Sequence, residues 1–202
     1  MQVRRDVKIR PQDDQGGRVP PGQVVTRAWP VLHHGEIPDI DLSTWRLSVD
    51  GLVENPQSLS WDELSALPRE ERRNDVHCVT HWTKLDNVWE GVSVRALLAL
   101  VRPLPEARYV LQKAVGGWTT NVTREDLERP GNILAFSHAG QPLTREHGWP
   151  CRLVIPHLYF WKGAKWISGL TFQSHEEAGF WEQNGYHRHG DPWKEERFRE
   201  DW

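Results

Sequence analysis

Alternating hydrophobic and polar positions predict a protein built mainly from short strands. In residues 45–51 every second residue is apolar, so Trp45, Leu47 and Val49 share one face of a strand. The two glycines at 116–117 lie between β-rich runs and predict a tight hairpin turn. Further short strands are predicted at 75–79, 109–115, 118–122, 133–136, 152–155 and 166–172.

A few short helices are predicted from their first residues. Ser60 and Glu63 have the spacing of a capping box, Ser93 is a suitable N-cap, and Thr123 with Asp126 resembles a third helix start. The apolar positions of the first two helices are Leu64 and Leu67, then Val94, Leu97, Leu98 and Val101. Helices of this length among many short strands predict an α+β fold with a mixed β-sheet.

The chain divides by polarity into three parts. Residues 1–28 are predicted to form a polar N-terminal extension, 29–174 a single domain, and 175–202 a tail that packs on that domain. Between the strands, the run 89–91 (Trp-Glu-Gly) is interpreted as a turn because it ends in glycine.

Composition and charge exclude several classes of protein. The 202 residues carry a net charge of −3, and no basic patch alternates with aromatic residues, so nucleic acid is not expected as a partner. No apolar run approaches the roughly 18 residues that a membrane helix needs. Arg4 and Arg5 are followed by polar residues rather than by the apolar stretch of an export signal, so we expect a cytoplasmic protein.

The first candidate for chemistry is Cys78, at the end of a predicted strand. A thiolate there can bind a soft metal, although a single cysteine is more often a small buried hydrophobe. His77 and His81 are its nearest histidines in sequence. Cys78 and Cys151 are the two cysteines, and without a Cys-x-x-Cys pair an iron–sulfur cluster or c-type haem is not expected.

The second candidate is the block 147–166. A strand there leads into a loop with Gly163 and two cations, Lys162 and Lys165, and such loops can hold a phosphate. Arg152 could add a bidentate contact to an oxygen anion. The alternative interpretation of this loop is a solvated basic turn.

The third candidate lies in the tail. His187, His189 and Asp191 could bind zinc, which would make the chain a zinc hydrolase that catalyses no redox reaction, although their spacing matches no closed zinc module. The 12 tryptophans leave another interpretation open, a small-molecule binding module with a Trp-lined pocket.

Taken together, these segments resemble the molybdopterin-binding domain of the sulfite oxidase family. The resemblance covers roughly residues 29–172 and is most specific in the last block, where Gly-Trp-Pro-Cys-Arg-Leu-Val-Ile-Pro-His-Leu-Tyr is followed by Lys-Gly-Ala-Lys-Trp. Its other segments are 29–35 with 45–51, the Cys78 segment with Trp82, Trp89 and Gly91, and 117–121.

The resemblance implies a mixed fold built around one molybdopterin, with Cys78 as the protein ligand to molybdenum. His77 and His81 are expected to line the substrate approach. The residues implied to contact the cofactor are Leu32, His33, His147, Arg152, Phe160, Trp161, Lys162 and Lys165.

Two departures limit what the resemblance implies about substrate. Methionine-sulfoxide-reductase-like members have Gly and Phe where this chain has Phe160 and Trp161. Arg73, Arg95 and Arg152 do not reproduce the arginine cluster of the larger sulfite oxidases. We therefore expect an oxidoreductase that transfers an oxygen atom to or from a small substrate, either a sulfite-like anion or an S- or N-oxide, and that uses an external cytochrome or flavoprotein as electron carrier.

Overall fold

Two β-sheets dominate the computed structural model, which describes residues 16–199. The strands are β1 (Val24–Val25), β2 (Arg46–Gly51), β3 (Gln57–Ser60), β4 (Arg69–His77), β5 (Trp82–Ser93), β6 (Tyr109–Ala114), β7 (Thr119–Thr123), β8 (Ile133–His138), β9 (Gln141–Pro142), β10 (Arg152–Val154) and β11 (Ile167–Gln173). The helices are α1 (Trp61–Ser65), α2 (Val94–Val101), α3 (Arg124–Glu128) and α4 (Phe180–Gln183). Single 3-10 turns occur at Arg145–His147, Phe160–Lys162 and Pro192–Lys194.

Both sheets combine parallel and antiparallel pairs. The first runs β1-β5-β8-β10, with β4 added on β5 and β9 on β8, and its β1–β5 pair is parallel. The second runs β3-β2-β11-β6-β7, where β11 is parallel to β2 and antiparallel to β6. The mixed α+β architecture predicted from the sequence is confirmed.

Local sequence signals determine where the helices begin. The Ser60 side chain accepts from the Glu63 backbone N–H while the Glu63 carboxylate accepts from the Ser60 backbone, which is the predicted capping box. The Ser93 and Thr123 side chains cap α2 and α3, each by accepting the backbone N–H three residues further on, without the reciprocal bond of a capping box. The apolar face of α2 is buried, as its spacing predicted.

The predicted turn at 89–91 is wrong, since these residues lie inside the long strand β5. Gly91 has a different reason to be a glycine. A Cβ atom there would collide with the Leu134 backbone carbonyl of β8, at a point where the β5–β8 register shifts. The glycine therefore permits a close approach of two strands, which is the other common role of glycine in a sheet.

The segment 175–199 lies against the rest of the protein through buried contacts. The Lys162 ammonium and the Glu182 carboxylate form an ion pair of 2.8 Å in which both side chains are fully buried. The backbone N–H of Tyr159 donates to the Gly190 carbonyl at 2.8 Å. His189 contacts the Asp126 and Glu196 carboxylates, and its bond to Asp126 raises the pKa of the imidazole.

The apolar core lies between α2 and the strands of both sheets, and it includes Cys151. Both cysteines are within the described residues and are free thiols. Within residues 16–199, every helix is too short or too polar to cross a lipid bilayer.

Candidate functional site

A cavity of about 400 Å³ opens beside the turn that joins β4 to β5. This volume is within the range of small-molecule and cofactor pockets. Loops from both sheets contribute to its wall, together with α4 and the residues after it. The wall is formed by residues 29–30, 32–34, 78–80, 82, 114, 118–120, 147, 152, 160–161, 163–166, 181 and 186.

Cys78 lies on the cavity wall because the β4–β5 turn places it there. β4 ends at His77 and β5 begins at Trp82. The Cys78 N–H donates to the Trp82 carbonyl at 2.8 Å, and the His81 N–H donates to the Cys78 carbonyl at 3.1 Å. His81 closes the turn with a φ of 68°, in the left-handed region.

The thiol of Cys78 has one hydroxyl neighbour, since its Sγ atom lies 3.2 Å from Thr80 Oγ1. Burial raises the pKa of the Cys78 thiol, while Thr80 and the positive charge of Arg197 act in the opposite direction. The metal-free protein therefore keeps this sulfur protonated near neutral pH, and a bound metal would have to displace the proton.

Arg152 is a buried cation that has no acidic partner within residues 16–199. Its side chain is 2% exposed, and its guanidinium carbon lies 3.9 Å from the centroid of the Phe160 ring. Nη1 donates to the His147 carbonyl at 3.2 Å, and no carboxylate of residues 16–199 lies within ion-pair distance. Burial lowers the pKa of Arg152 to about 9, so an anion in the cavity would relieve an energetic cost that the protein otherwise carries.

Lys165 and His147 stand beside Arg152. Lys165 Nζ donates to the carbonyls of Leu32 and Glu146, both at 2.9 Å, which leaves one of its three N–H groups for a ligand. Burial and then the nearby Arg152 lower the pKa of Lys165 to about 7. The His147 ring stacks on Trp29 at 3.8 Å, and burial followed by the two cations lowers its pKa to about 4.

Three buried nitrogen atoms of the cavity wall lack a hydrogen-bond partner within residues 16–199. They are Nε of Arg152, Nε2 of His147 and Nε1 of Trp82. Buried polar groups of folded proteins are nearly always paired. Such unpaired atoms also occur outside the cavity within residues 16–199, for example Trp45 Nε1 and Asn74 Nδ2, so the unneutralised Arg152 guanidinium is the stronger indication. It fits an anionic ligand such as a pterin phosphate, and the nearby Cys78 sulfur fits a soft metal.

The structure brings together eight of the residues singled out in the sequence. These cavity-wall residues are Leu32, His33, Cys78, His147, Arg152, Phe160, Trp161 and Lys165. His77, His81 and Lys162 do not line the cavity. His77 is buried and bonded to Thr83 Oγ1 at 2.9 Å, burial lowers its pKa to about 4, and exposed His81 bonds to the Gly22 carbonyl at 2.8 Å.

Lys162 points away from the cavity into the contact with the tail. Its ammonium donates to Asn121 Oδ1, Glu182 Oε1 and the Arg188 carbonyl, at 2.8, 2.8 and 2.6 Å. All three donors of the ammonium are used. Burial lowers the pKa of Lys162, and the Glu182 carboxylate opposes that change.

The tail histidines do not form the zinc site that the sequence left open. Among the described residues, no three His, Cys, Asp or Glu side chains are arranged to hold a metal ion. His187 Nδ1 accepts the backbone N–H groups of His189 and Gly190, and Asp191 caps the 3-10 turn at 192–194. These side chains stabilise the tail itself.

Three aromatic residues of the cavity wall, Trp118, Trp181 and Tyr186, were not among the site residues expected from the sequence. Trp118 and Trp181 face each other with nearly parallel rings, 6.1 Å apart, and Tyr186 packs beside Cys78 and Trp161. Trp181 and Tyr186 come from a stretch without periodicity, so no local pattern assigned them to a site. The large number of tryptophans was the one signal available.

Comparison with known proteins identifies the family. Residues 34–181 match the family model described as the oxidoreductase molybdopterin binding domain. The chain belongs to this family. The resemblance to the sulfite oxidase family is thereby confirmed, and the cofactor of this oxidoreductase is molybdenum with molybdopterin.

Relatives of the molybdopterin-binding chain include two bacterial proteins. It is 50% identical to "Uncharacterized oxidoreductase YuiH" of Bacillus subtilis (strain 168), over 93% of the chain and 95% of that protein. It is 31% identical to "Putative protein-methionine-sulfoxide reductase subunit YedZ1" of Azospira oryzae (strain ATCC BAA-33 / DSM 13638 / PS), over 84% of the chain and 66% of that protein.

A solved structure shares the fold of this molybdopterin-binding domain. It is the sulfane dehydrogenase SoxCD of Paracoccus pantotrophus, with a TM-score of 0.64 and 23% sequence identity. The match covers 71% of the chain and 41% of the SoxCD chain.

Proposed function

We propose that this oxidoreductase transfers an oxygen atom to or from a small substrate, with Cys78 as the protein ligand to molybdenum. The observation that carries the proposal is one cavity that contains both the Cys78 sulfur and an unneutralised, buried guanidinium, Arg152. A thiolate suits the metal and a guanidinium suits the anionic end of the pterin. The bound cofactor supplies a two-electron redox centre able to give up or accept oxygen.

The chain's own residues hold and shield that centre. Arg152, Lys165 and His147 would bind the polar groups of the pterin. Leu32, His33, Phe160 and Trp161 would cover it and keep water away. His77, His81 and Lys162 are outside the cavity, so the proposal assigns them no contact with substrate.

The wall around Cys78 favours an uncharged S-oxide or N-oxide over a sulfite-like anion. Trp82, Trp161 and Tyr186 pack in the Cys78 region, and among the arginine and lysine side chains described, Arg152 and Lys165 are the two that line the cavity. Both cations are proposed to be engaged by the pterin, so a sulfite dianion would be desolvated there without a partner. The putative methionine-sulfoxide reductase relative is consistent with this choice.

The proposed reduction of a sulfoxide to a thioether takes its two electrons from an external carrier. The sulfur–oxygen bond of a sulfoxide breaks, two electrons from the carrier and two protons are consumed, and the oxygen leaves as water. The sulfur becomes a thioether. We propose a cytochrome or flavoprotein as electron carrier and the cytoplasm as compartment.

The test begins with Cys78→Ser and uses Cys151→Ala, a cysteine outside the cavity, as matched control. Protein from a molybdenum-sufficient host is assayed for metal, released pterin and dye-coupled turnover with methionine sulfoxide, trimethylamine N-oxide and sulfite. We expect wild type and Cys151→Ala to contain molybdenum and reduce the oxides, while Cys78→Ser folds but loses at least about 100-fold in turnover. Full turnover in Cys78→Ser would overturn the assignment of Cys78 as the metal ligand. If wild type oxidised sulfite faster than it reduced either oxide, the proposed substrate class would be wrong.

A further inference from the structure

The guanidinium of Arg197, in the tail, is buried against the turn that carries Cys78. Its side chain is nearly inaccessible, with the residue 7% exposed. Nη1 donates to the Val79 carbonyl at 2.8 Å, and Nη2 donates to the Pro21 carbonyl at 3.3 Å. The guanidinium carbon also lies 5.0 Å from the centroid of the buried Tyr159 ring. One side chain thus joins three segments that are distant in sequence.

Residues 22–24 hold the same turn through further hydrogen bonds. Gln23 Nε2 donates to the Cys78 carbonyl at 3.0 Å, and the Val24 N–H donates to the His81 carbonyl at 2.9 Å. Because Arg197 also reaches Pro21, it connects the tail to the segment that contains Gln23 and Val24. The backbone around Cys78 is therefore held by two segments, the tail and residues 21–24.

The tail presents Arg197 from a backbone that is itself anchored. The Arg197 carbonyl accepts from the His187 N–H at 3.2 Å. The neighbouring Glu196 carboxylate accepts from the Asp191 N–H and bonds the His189 ring. Lys162 and Glu182 form the buried ion pair nearer the start of the tail. A guanidinium held in this way can impose a position on the carbonyl it meets.

We propose that Arg197 is a positioning residue, which fixes the Cys78 turn so that the sulfur faces the cavity in one orientation. The inference rests on the proposed function in one respect, that Cys78 is the metal ligand. Arg197 lies beyond residues 34–181, the part that matches the family model, so the tail adds to the site something that the matched domain does not contain. Loss of the guanidinium leaves the Val79 carbonyl without its donor and lets the turn move.

The experiment compares Arg197→Gln with Arg188→Gln, a matched control in the same tail whose exposed side chain pairs with Glu176. Hydrogen exchange of the purified protein is measured on peptides that span residues 76–84. We expect exchange of the Cys78 and His81 amides to quicken about tenfold or more in Arg197→Gln and to stay at the wild-type rate in Arg188→Gln. Arg197→Lys, which keeps the charge but spans fewer carbonyls, should restore part of the protection.

A second readout separates positioning from general stability. Molybdenum X-ray absorption of loaded protein should show a broadened metal–sulfur shell in Arg197→Gln and a wild-type spectrum in Arg188→Gln. If Arg197→Gln does not fold, the same comparison is made with Arg197→Lys. Wild-type exchange and a wild-type spectrum in the folded Arg197 variants would overturn the proposal.

The two proposals fail in different ways. Wild-type protein without molybdenum would contradict the proposed function while leaving the exchange result intact. Loaded wild-type protein, with an Arg197 variant indistinguishable from it, would contradict the positioning role and leave the proposed function in place.

Discussion

Two buried cations of one sequence block, Arg152 and Lys162, have opposite surroundings. Lys162 is fully buried and donates to Asn121, Glu182 and the Arg188 carbonyl. Arg152 is equally inaccessible, yet its Nε has no partner and no carboxylate of residues 16–199 lies near it. From the sequence, both side chains were expected to contact the cofactor.

This difference indicates that Lys162 is a structural cation and that Arg152 is available to bind a ligand. A buried ammonium with all its donors paired is a closed unit, and a further anion would find no donor there. A buried guanidinium that lies beside aromatic rings and a cavity is stabilised when an anion binds in that cavity. The state of pairing distinguishes the two roles, since burial is the same for both.

The largest effect that this comparison predicts is on stability, in Lys162→Met. The substitution leaves the Glu182 carboxylate buried without its cation, which typically costs about 3–5 kcal/mol. The free energy of unfolding from urea titration measures the loss. Thr120 and Trp161 still donate to Glu182 Oε1, so they moderate the cost without removing it.

The control for that variant removes the stranded charge. Lys162→Met combined with Glu182→Gln keeps an oxygen acceptor for Thr120 and Trp161, and it should recover at least about half of the lost free energy. If the free energy of unfolding of Lys162→Met alone lies within about 1 kcal/mol of wild type, Glu182 does not depend on the Lys162 cation.

Arg152→Met should have the opposite effects, a small loss of stability and a large loss of bound cofactor. In cofactor-free protein it should cost no more than about 1–2 kcal/mol, because the lost carbonyl contact and the lost contacts with the Phe160, Trp29 and Trp89 rings are partly offset by removal of an unneutralised buried charge. In protein from a cofactor-sufficient host, molybdenum and pterin content should fall about tenfold or more, the value of a lost hydrogen bond to a charged group. If Arg152→Met kept the wild-type pterin content, or lost as much stability as Lys162→Met, Arg152 and Lys162 would not differ in role.

Features of the fold that depend on residues close together in sequence could be predicted. The caps at Ser60, Ser93 and Thr123 work through N–H groups three residues away, so they were predictable. The placement of Cys78 just after a strand followed from local pattern too. The α+β class came from the same information.

Contacts between distant segments were not readable. Lys162 and Lys165 are three residues apart and chemically alike, and what distinguishes them is whether a carboxylate 20 residues further along reaches one of them. The role of Gly91 depends on the carbonyl of a neighbouring strand. Arg197 meets the Cys78 turn across a separation of 118 residues. Such pairings are set by tertiary packing, which a single sequence leaves open.

The smallest expected effect concerns Lys165, which is intermediate between the two cations because two of its three donors are paired. Burial and Arg152 lower its pKa to about 7, against about 10.4 for an exposed lysine. Between these values the unfolded chain binds more protons than the folded one, so the contribution of Lys165 to stability increases as pH rises. The free energy of unfolding of cofactor-free wild type should therefore increase relative to that of Lys165→Met from pH 6 to pH 9.

In loaded protein the bound anion would favour the charged lysine and weaken that trend. Parallel curves for the two cofactor-free proteins would mean that Lys165 does not carry a costly charge in the open cavity, and that Arg152 alone forms the unneutralised part of the site.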